Sequence, residues 1–430
     1  MRQTLFYIPD EEIAGLPVFG RGWLLLAWAV FSIVLLIWLI RKQGSRAEAW
    51  GYAPLLVLVG AAIWFVLPRL CEPQGLPIRG YGVMLLVAVS SAVALAAWRA
   101  RRLGVDPELI VTLAFWMFVP GIVGARAFYV IQYWPEFQRA TPVETLGALV
   151  NVTQGGLVVY GSVIGGILGL MAFVYKYKMP PLATFDLMTP SFLLGLAIGR
   201  LGCLLNGCCY GETCDLLWAV TFPVGSPVHV HQVEYGETFL YGLKVPSHPP
   251  ETFGGPRAPA LIAEVEPGSA AEQAGLKPRQ RIVSINDRSV RTVEDAQWEL
   301  IHARKAGEPV SIKIAGSPTV ASLPVGPPRR SERVHPTQVY SALNGLLLCL
   351  FVLAYAPFSR RDGEVFAMFL TLYHITRFLL EFIRDDEAPD FGPGLTISQV
   401  LSLILLGCAA LLYVHVWMKP PGLAFAKSRE

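Results

Sequence analysis

The sequence predicts an all-helical polytopic membrane bundle of about nine transmembrane helices, N-terminus outside and C-terminus inside, interrupted by a small α+β domain. Three observations carry this. The 430-residue chain is 53% hydrophobic and 16% charged, with a mean hydropathy of +0.48, too apolar for an ordinary soluble domain of its size. Nine apolar segments of about 17 to 25 residues meet the length needed to span a hydrocarbon core. Between the sixth and seventh, from about Glu212 to Arg333, charges become frequent, and "PPETFGGPRAP" and "VGPPRRSER" bracket a more regular stretch as linkers would.

The expected spans lie near 22–40, 52–68, 81–98, 109–133, 156–175, 183–205, 339–357, 364–384 and 397–418. The opening "MRQTLFYIPDEEIAGLPVFG" has three acids and no basic n-region, so no cleavable signal peptide is expected. Arg41, Lys42 and Arg46, Arg99, Arg101 and Arg102, Lys176 and Lys178, Arg360 and Arg361, and Lys419 and Lys427 follow alternate spans, which assigns those ends to the cytoplasm. An odd span number then places the N-terminus and the long loop outside. "LPVFGRGWLLLAWAV" from Leu16 and "LPIRGYGVMLLVAV" from Leu76 echo one another, through duplication or through the chance similarity of apolar helices. The expected organisation is 1–75 as an extra segment with two spans, 76–211 and 334–430 as the two parts of a membrane core, and 212–333 as the insert.

Within the insert, "ALIAEVE", "RIVSIND" and "PVSIKIAG" read as strands, and "AAEQAGL" and "TVEDAQWELIHAR" as helices. That order, with "PGSAAEQAGLKPRQRIVSINDRSV", resembles a PDZ domain of the bacterial protease-associated kind over about 257–318. Arg279 and Gln280 replace the Gly-Asp usual after "LKP", and no clear Gly-Leu-Gly-Phe-like loop precedes it. The resemblance implies a peptide ligand added as a strand at a sheet edge; the alternative is a spacer without a ligand.

Charged groups inside a membrane span are costly and usually mark a site. Arg126, Arg200, Arg377 and Glu381 are of this kind. Counted from the cytoplasmic helix ends, the three arginines fall roughly 20 to 26 Å up a core of about 30 Å. Tyr81, Tyr160, Asn206, His335, Gln338 and Tyr340 reach the same outer level. The expectation is a cationic pocket open to the outer leaflet that takes a phosphate-bearing ligand. Against it stand a simple i,i+4 pairing of Arg377 with Glu381 and a structural role for Arg126, the reading favoured for that residue.

Cys203, Cys208, Cys209 and Cys214 gather at or beyond the outer end of the sixth span. Packed free thiols, a disulfide such as Cys208 to Cys214, and a zinc site are the alternatives, the last disfavoured because the spacing fits no standard ligand pattern. Cys71, Cys349 and Cys408 read as core residues. His229 and His231 in "VHVH" suggest weak metal binding on an exposed strand, and His374 reads as packed or lipid-facing.

"GGLVVYGSVIGG", "GRLGCLLNGCCYG", "HPTQVY" and "YHITRFLLEFIR", in this order, resemble the prolipoprotein diacylglyceryl transferase family over about Leu76 to Trp417, insert excepted. The resemblance implies transfer of the diacylglyceryl group of phosphatidylglycerol to a prolipoprotein lipobox cysteine, with release of glycerol phosphate. It implies a bacterial cytoplasmic (inner) membrane location with the site toward the outer leaflet. By position, Arg200 and Arg377 resemble the essential arginines, Tyr81 and Tyr373 the site tyrosines, and Asn206 and Gly211 signature residues. With Tyr160 these give catalytic Arg200, Arg377 and Tyr160, and substrate-binding Tyr81, Arg126, Asn206, Gly211, His335, Gln338, Tyr373 and Glu381. The family's proposed basic histidine is Tyr160 here, a glycine has become Ser162, and the first signature asparagine has become Cys203.

No metal or organic cofactor is expected, since an activated lipid supplies its own leaving group. Scattered basic residues and a net charge of +3 give no nucleic-acid surface. A metalloprotease reading lacks His-Glu-x-x-His, and Gly161-Ser162 lacks the glycine of a rhomboid-type motif. An anion transporter would need polar groups reaching both faces. A noncatalytic lipid-binding scaffold remains the other alternative.

Overall fold

The computed structural model describes residues 3–43, 53–72, 74–138, 141–150, 156, 158–247, 257–317, 319–326, 329–387 and 394–425. Among these, six helices are long and apolar enough to cross a membrane: Trp23–Arg41, Gly80–Arg102, Pro107–Gln132, Pro181–Asn206, Thr337–Phe358 and Ile397–Trp417. The other three expected spans are helices of a different kind. Leu56–Leu70 and Tyr160–Lys176 are shorter apolar helices, and Glu364–Glu381 carries buried acids at both ends. The protein is therefore a mostly helical polytopic membrane protein, with large apolar side chains such as Val57, Leu86 and Ile131 exposed along its helices.

The chain forms two compact units. One comprises Thr4–Val83, Ala92–Met188 and Gly422–Glu430. Here the two echoed Leu-Pro segments are both short strands, Leu16–Pro17 against Glu12–Ile13 and Leu76–Arg79 against Thr4–Ile8. A π turn over Ala62–Val66 precedes Pro68, where the missing N–H disturbs the α ladder. The glycines of "GGLVVYGSVIGG" serve helix packing: a Cβ at Gly161, Gly165 or Gly169 would fall 2.2, 2.1 and 1.8 Å from the carbonyls of Gly124, Pro120 and Trp116. This small-residue seam at four-residue spacing lets two backbones touch. Pro190, inside the Pro181–Asn206 helix, has no N–H for the carbonyl of Asp186, and Arg99 donates to that carbonyl at 2.8 Å.

The other unit comprises Met1–Gln3, Met84–Ser91 and Thr189–Pro421. Its Thr337–Tyr355 helix approaches the Pro181–Asn206 helix closely at Gly345, whose Cβ would stand 3.3 Å from Ala197. The insert carries a four-stranded antiparallel sheet in the order Val320–Leu323, Val310–Ile314, Ile282–Ile285, Arg288–Ser289. The helix Val293–Ala306 packs with it, begun by a Thr292–Asp295 capping box and ended by Gly307 at φ 74°. One buried apolar cluster runs from Val233 to Leu323, wider than the expected 257–318.

Two local expectations change, and among the alternatives for the outer cysteines free thiols are found. "VHVH" belongs to the helix Pro227–Glu234 rather than an exposed strand, because Ser226 caps it and Pro227 starts it. His229 is buried there, and burial, helped by Arg304, lowers its pKa to about 4, so the ring is neutral and packed rather than offered to a metal. Cys408, read as a core residue, is exposed, and Cys71 is only half-buried, while Cys349 is buried. No disulfide joins Cys208 to Cys214; the seven thiols are free.

Candidate active site

The signature "GRLGCLLNGCCYG" is the C-terminal end of the Pro181–Asn206 helix and the turn beyond it. The helix stops because Gly207 adopts φ 84°, and the N–H groups of Gly207 and Cys208 both bond the carbonyl of Cys203, at 2.8 and 3.2 Å. Cys209 is again left-handed at φ 58°, a conformation costly for a side-chain-bearing residue. The "HPTQVY" segment holds it there: Thr337 Oγ1 donates to the carbonyl of Cys209 at 2.7 Å and Gln338 Nε2 to that of Cys208 at 2.8 Å. Gln338 and Thr337 thus act as clamps on the loop, both buried.

Gly211 is fixed by the same logic. Its N–H bonds the carbonyl of His335 at 3.1 Å, while Glu212 N–H bonds Ile383 O at 3.0 Å. A Cβ at Gly211 would sit 2.5 Å from Ile383 O and 2.7 Å from His335 Cβ. Gly211→Ala should therefore pull the signature loop from both neighbouring segments and cost about 1–3 kcal/mol, seen as a lower Tm in detergent; an unchanged Tm would show that the loop tolerates the shift. His335 faces Tyr340 Oη at 3.4 Å, and Tyr340 accepts from Trp218 Nε1 at 2.7 Å. Asn206 accepts Gln3 Nε2 through its backbone carbonyl at 3.0 Å.

Arg200 is half-buried on the helix just before this turn. It lies within electrostatic reach of Cys203, Cys209, Tyr373 and Arg384, and among the described residues it donates to no acceptor. A Cβ at the adjacent Gly199 would meet nothing within 4 Å, so that face of the helix is uncovered there. Tyr373 stacks on Phe369 at 5.7 Å on the Glu364–Glu381 helix.

Arg377 is different, for it is fully engaged. It pairs with Glu381, donates to Ser398 Oγ at 2.8 Å, and stands 3.7 Å from Glu387. Glu381, 3% exposed, also accepts from Thr396 Oγ1 at 3.1 Å and faces Arg384 Nε at 3.7 Å. Arg384 in turn makes a two-pronged contact with Asp386 at 2.8 and 2.7 Å. The result is a ladder of alternating charge, Glu387–Arg377–Glu381–Arg384–Asp386. The sequence reading found its first i,i+4 rung and missed Arg384, whose signal was the i,i+3 spacing from Glu381 followed by two aspartates.

Tyr81, Arg126 and Tyr160 belong to the other unit. Tyr81 and Tyr160 are each the second residue of a helix and partly exposed. Arg126 donates through Nε to Leu149 O at 2.8 Å, through Nη2 to Ala148 O at 2.8 Å and through Nη1 to Gly156 O at 3.1 Å. Its guanidinium thus caps the carbonyl end of the helix Pro142–Val150 and rests by Phe137 and Tyr129. The structural reading of Arg126 fits this geometry, and the phosphate-binding one has no free fork to use.

The thiols assemble around the turn. The Sγ atoms of Cys203, Cys208 and Cys209 lie within 4.8 Å of one another. Hydrogen bonds from Cys203 and Cys208, with the charges of Arg200 and Arg384, pull the Cys209 thiol well below its ordinary range. Cys214 stays outside the cluster, its N–H bonded to Arg333 O.

A family model described as prolipoprotein diacylglyceryl transferase matches residues 68–415. A Rhodopirellula baltica protein named phosphatidylglycerol-prolipoprotein diacylglyceryl transferase is 34% identical over 97% of this chain and 89% of its own length, a match that takes in the insert. A Clostridium tetani protein of the same name is 24% identical over 79% of this chain and 93% of its length. One from Thermosynechococcus vestitus is 34% identical over 38% of this chain and 60% of its length. The matched region contains the signature turn, its "HPTQVY" clamp and the charge ladder together, and the chain belongs to the prolipoprotein diacylglyceryl transferase family.

Proposed function

We propose that this protein transfers the diacylglyceryl group of phosphatidylglycerol to the thiol of a prolipoprotein lipobox cysteine. The observation that carries the reading is Arg200: a half-buried cation on the helix just before the signature loop, with no acceptor among the described residues. Such a group is costly unless an anion joins it, and the lipid phosphodiester is a membrane-borne anion. In the reaction the substrate thiol loses its proton, its sulfur attacks the glycerol carbon, and the C–O bond breaks with its electron pair going to phosphate. The phosphodiester carries one negative charge and the departing glycerol phosphate approaches two. A guanidinium fork in a poorly hydrated site meets that growing charge far better than water does.

The demand on a base is smaller. A thiol with pKa near about 8.5 is already a few per cent thiolate at neutral pH, whereas a tyrosine near about 10 is some 0.1% ionised. Tyr160 is accordingly assigned as a hydrogen-bond donor. Arg377 is a positioning residue that acts through the charge ladder, and Tyr373 borders Arg200. The working arrangement has nine spans in a bacterial inner membrane, the signature turn toward the outer leaflet and the insert outside. The test is release of glycerol phosphate from head-group-labelled phosphatidylglycerol by the purified protein. Release should require a lipobox peptide and fail with its Cys→Ser version; release without the peptide would make the protein a phospholipase.

The insert supports a second element of the proposal, a PDZ-like module that takes a peptide. Tyr241 at φ 50° and Gly242 at φ 77° form a tight turn, with Leu240 and Leu243 exchanging backbone bonds at 2.9 and 2.8 Å. Beside it lies a cavity lined by Gly242, Glu266, Ser269, Arg304, Gly326 and Arg329, in which Arg329 pairs with Glu266 at 2.6 Å and Arg304 donates to Gly326 O at 3.0 Å. A tethered module raises the local concentration of a protein substrate without touching the phosphate chemistry. Replacing Pro259 to Ser317 by a glycine-serine linker should leave peptide transfer at saturation unchanged and raise the full-length prolipoprotein concentration needed for half-maximal rate. Unchanged titrations of both substrates would make the insert a spacer.

A further inference from the structure

The three thiols at the signature turn have no part in the phosphate chemistry above, yet the chain takes unusual trouble to collect them. In sequence they are Cys203, then Cys208 and Cys209, a spacing unlike any standard ligand pattern. Folding changes that. The left-handed Gly207 sends the chain back over the last helical turn and brings Cys208 to Cys203, whose carbonyl its N–H caps at 3.2 Å. Cys209, left-handed in its turn, reverses the chain again, and its thiol rejoins the other two instead of pointing away. The carbonyls of Cys208 and Cys209 are held by the buried Gln338 and Thr337, so the thiols are presented by a pinned backbone.

We propose that Cys203, Cys208 and Cys209 form a three-thiolate site for a thiophilic divalent cation of the zinc class. With metal–sulfur bonds of about 2.3 Å, sulfurs in a tetrahedral site stand about 3.8 Å apart. The observed mutual distances, all within 4.8 Å, exceed that value by no more than about 1 Å, within the reach of a rotating Cys side chain. The nearby guanidiniums of Arg200 and Arg384 offset the negative charge of three sulfurs brought together. Three protein ligands leave the fourth position of such a cation open, the arrangement of exchangeable rather than closed structural sites. A water or a further thiol fits that position. Cys214, six residues beyond Cys208 and five beyond Cys209 in the chain, is not part of the set.

The test uses the full-length protein in detergent, reduced and then freed of reductant, with Co²⁺ as the spectroscopic probe. One equivalent should bind with thiolate-to-cobalt charge-transfer absorption and be displaced by Zn²⁺. Zn²⁺ should also protect Cys203, Cys208 and Cys209 from maleimide, mapped by mass spectrometry, while Cys214, outside the cluster and outside the spans, reacts as before. Cys203→Ser, Cys208→Ser and Cys209→Ser should each weaken binding by at least about tenfold, and Cys214→Ser should leave it unchanged. The protection experiment needs no variant, so a misfolded mutant does not decide the matter. Absence of charge-transfer absorption in the reduced wild type, or absorption that survives loss of all three thiols, overturns the site. A disulfide within the trio in protein isolated without reductant, together with no cobalt uptake after reduction, overturns it in favour of a redox pair.

Discussion

Arg200→Lys is expected to reduce diacylglyceryl transfer at least about 100-fold while leaving thermal unfolding in detergent unchanged. Lysine keeps the positive charge, so the loss measures what the planar fork contributes beyond charge. The wild-type folded state gives Arg200 no hydrogen-bond acceptor among the described residues, so shortening its head group removes no internal bond that supports the fold. The decrease should fall on kcat more than on KM, because the second phosphate charge exists only as the C–O bond breaks. Wild-type turnover in the lysine variant would remove Arg200 from the mechanism. A parallel loss of Tm and activity would make it a structural residue.

Glu381→Gln is expected to act in the opposite way, on stability first. Glu381 is 3% exposed and sits between Arg377 and Arg384, with Thr396 Oγ1 as a third donor. Glutamine removes the charge that both arginines share and leaves two buried cations with less compensation, a loss of about 3–5 kcal/mol. Tm should fall by several degrees, and activity should follow the folded fraction. The variant Glu387→Gln, at the more exposed end of the same ladder, should cost less, since its side chain is 25% exposed against 1% for that of Glu381. Equal effects at the two positions would mean that the ladder does not depend on burial as described.

The contrast between these two arginines could not be read in the sequence. Arg200 and Arg377 both appear there as charges inside apolar runs, and both answer to the family resemblance. What separates them is the company of Ser398 and Glu387 some 10 to 21 residues further on, a long-range arrangement with no local pattern. Arg126 was separable in part: its structural reading was favoured, but the three carbonyls that hold it come from Ala148, Leu149 and Gly156, reached only through the fold. Helix positions were legible because a span needs a long apolar run, and all nine expected segments are helical over most of their length. Glycines divided by what surrounds them. Those near Tyr160 are packing glycines set into a neighbouring backbone, whereas Gly199 faces open space.

The insert shows the limit from another side. Its helix Val293–Ala306 was marked by a Thr-x-x-Asp start and a glycine stop, and the sheet strands by alternation. The segment from Val233 to Val245, which contributes Leu240, Tyr241 and Leu243 to the buried cluster, carries no such period and lies outside the expected 257–318. "VHVH" alternates as a strand would, but Ser226 and Pro227 made it a helix; the cap outweighed four residues of pattern. For the thiols, the number and neighbourhood were visible, and the pairing was not, since it depends on two left-handed residues, only one of them glycine.

The central claim is tested most directly by the bond that forms on the substrate. Purified protein, phosphatidylglycerol vesicles and a lipobox peptide should yield a peptide whose cysteine alone gains the mass of one diacylglyceryl group. The linkage should survive hydroxylamine, as a thioether does and a thioester does not, and Arg200→Lys should give little of it. A hydroxylamine-labile product, or an unmodified peptide from folded wild-type protein, would contradict the account.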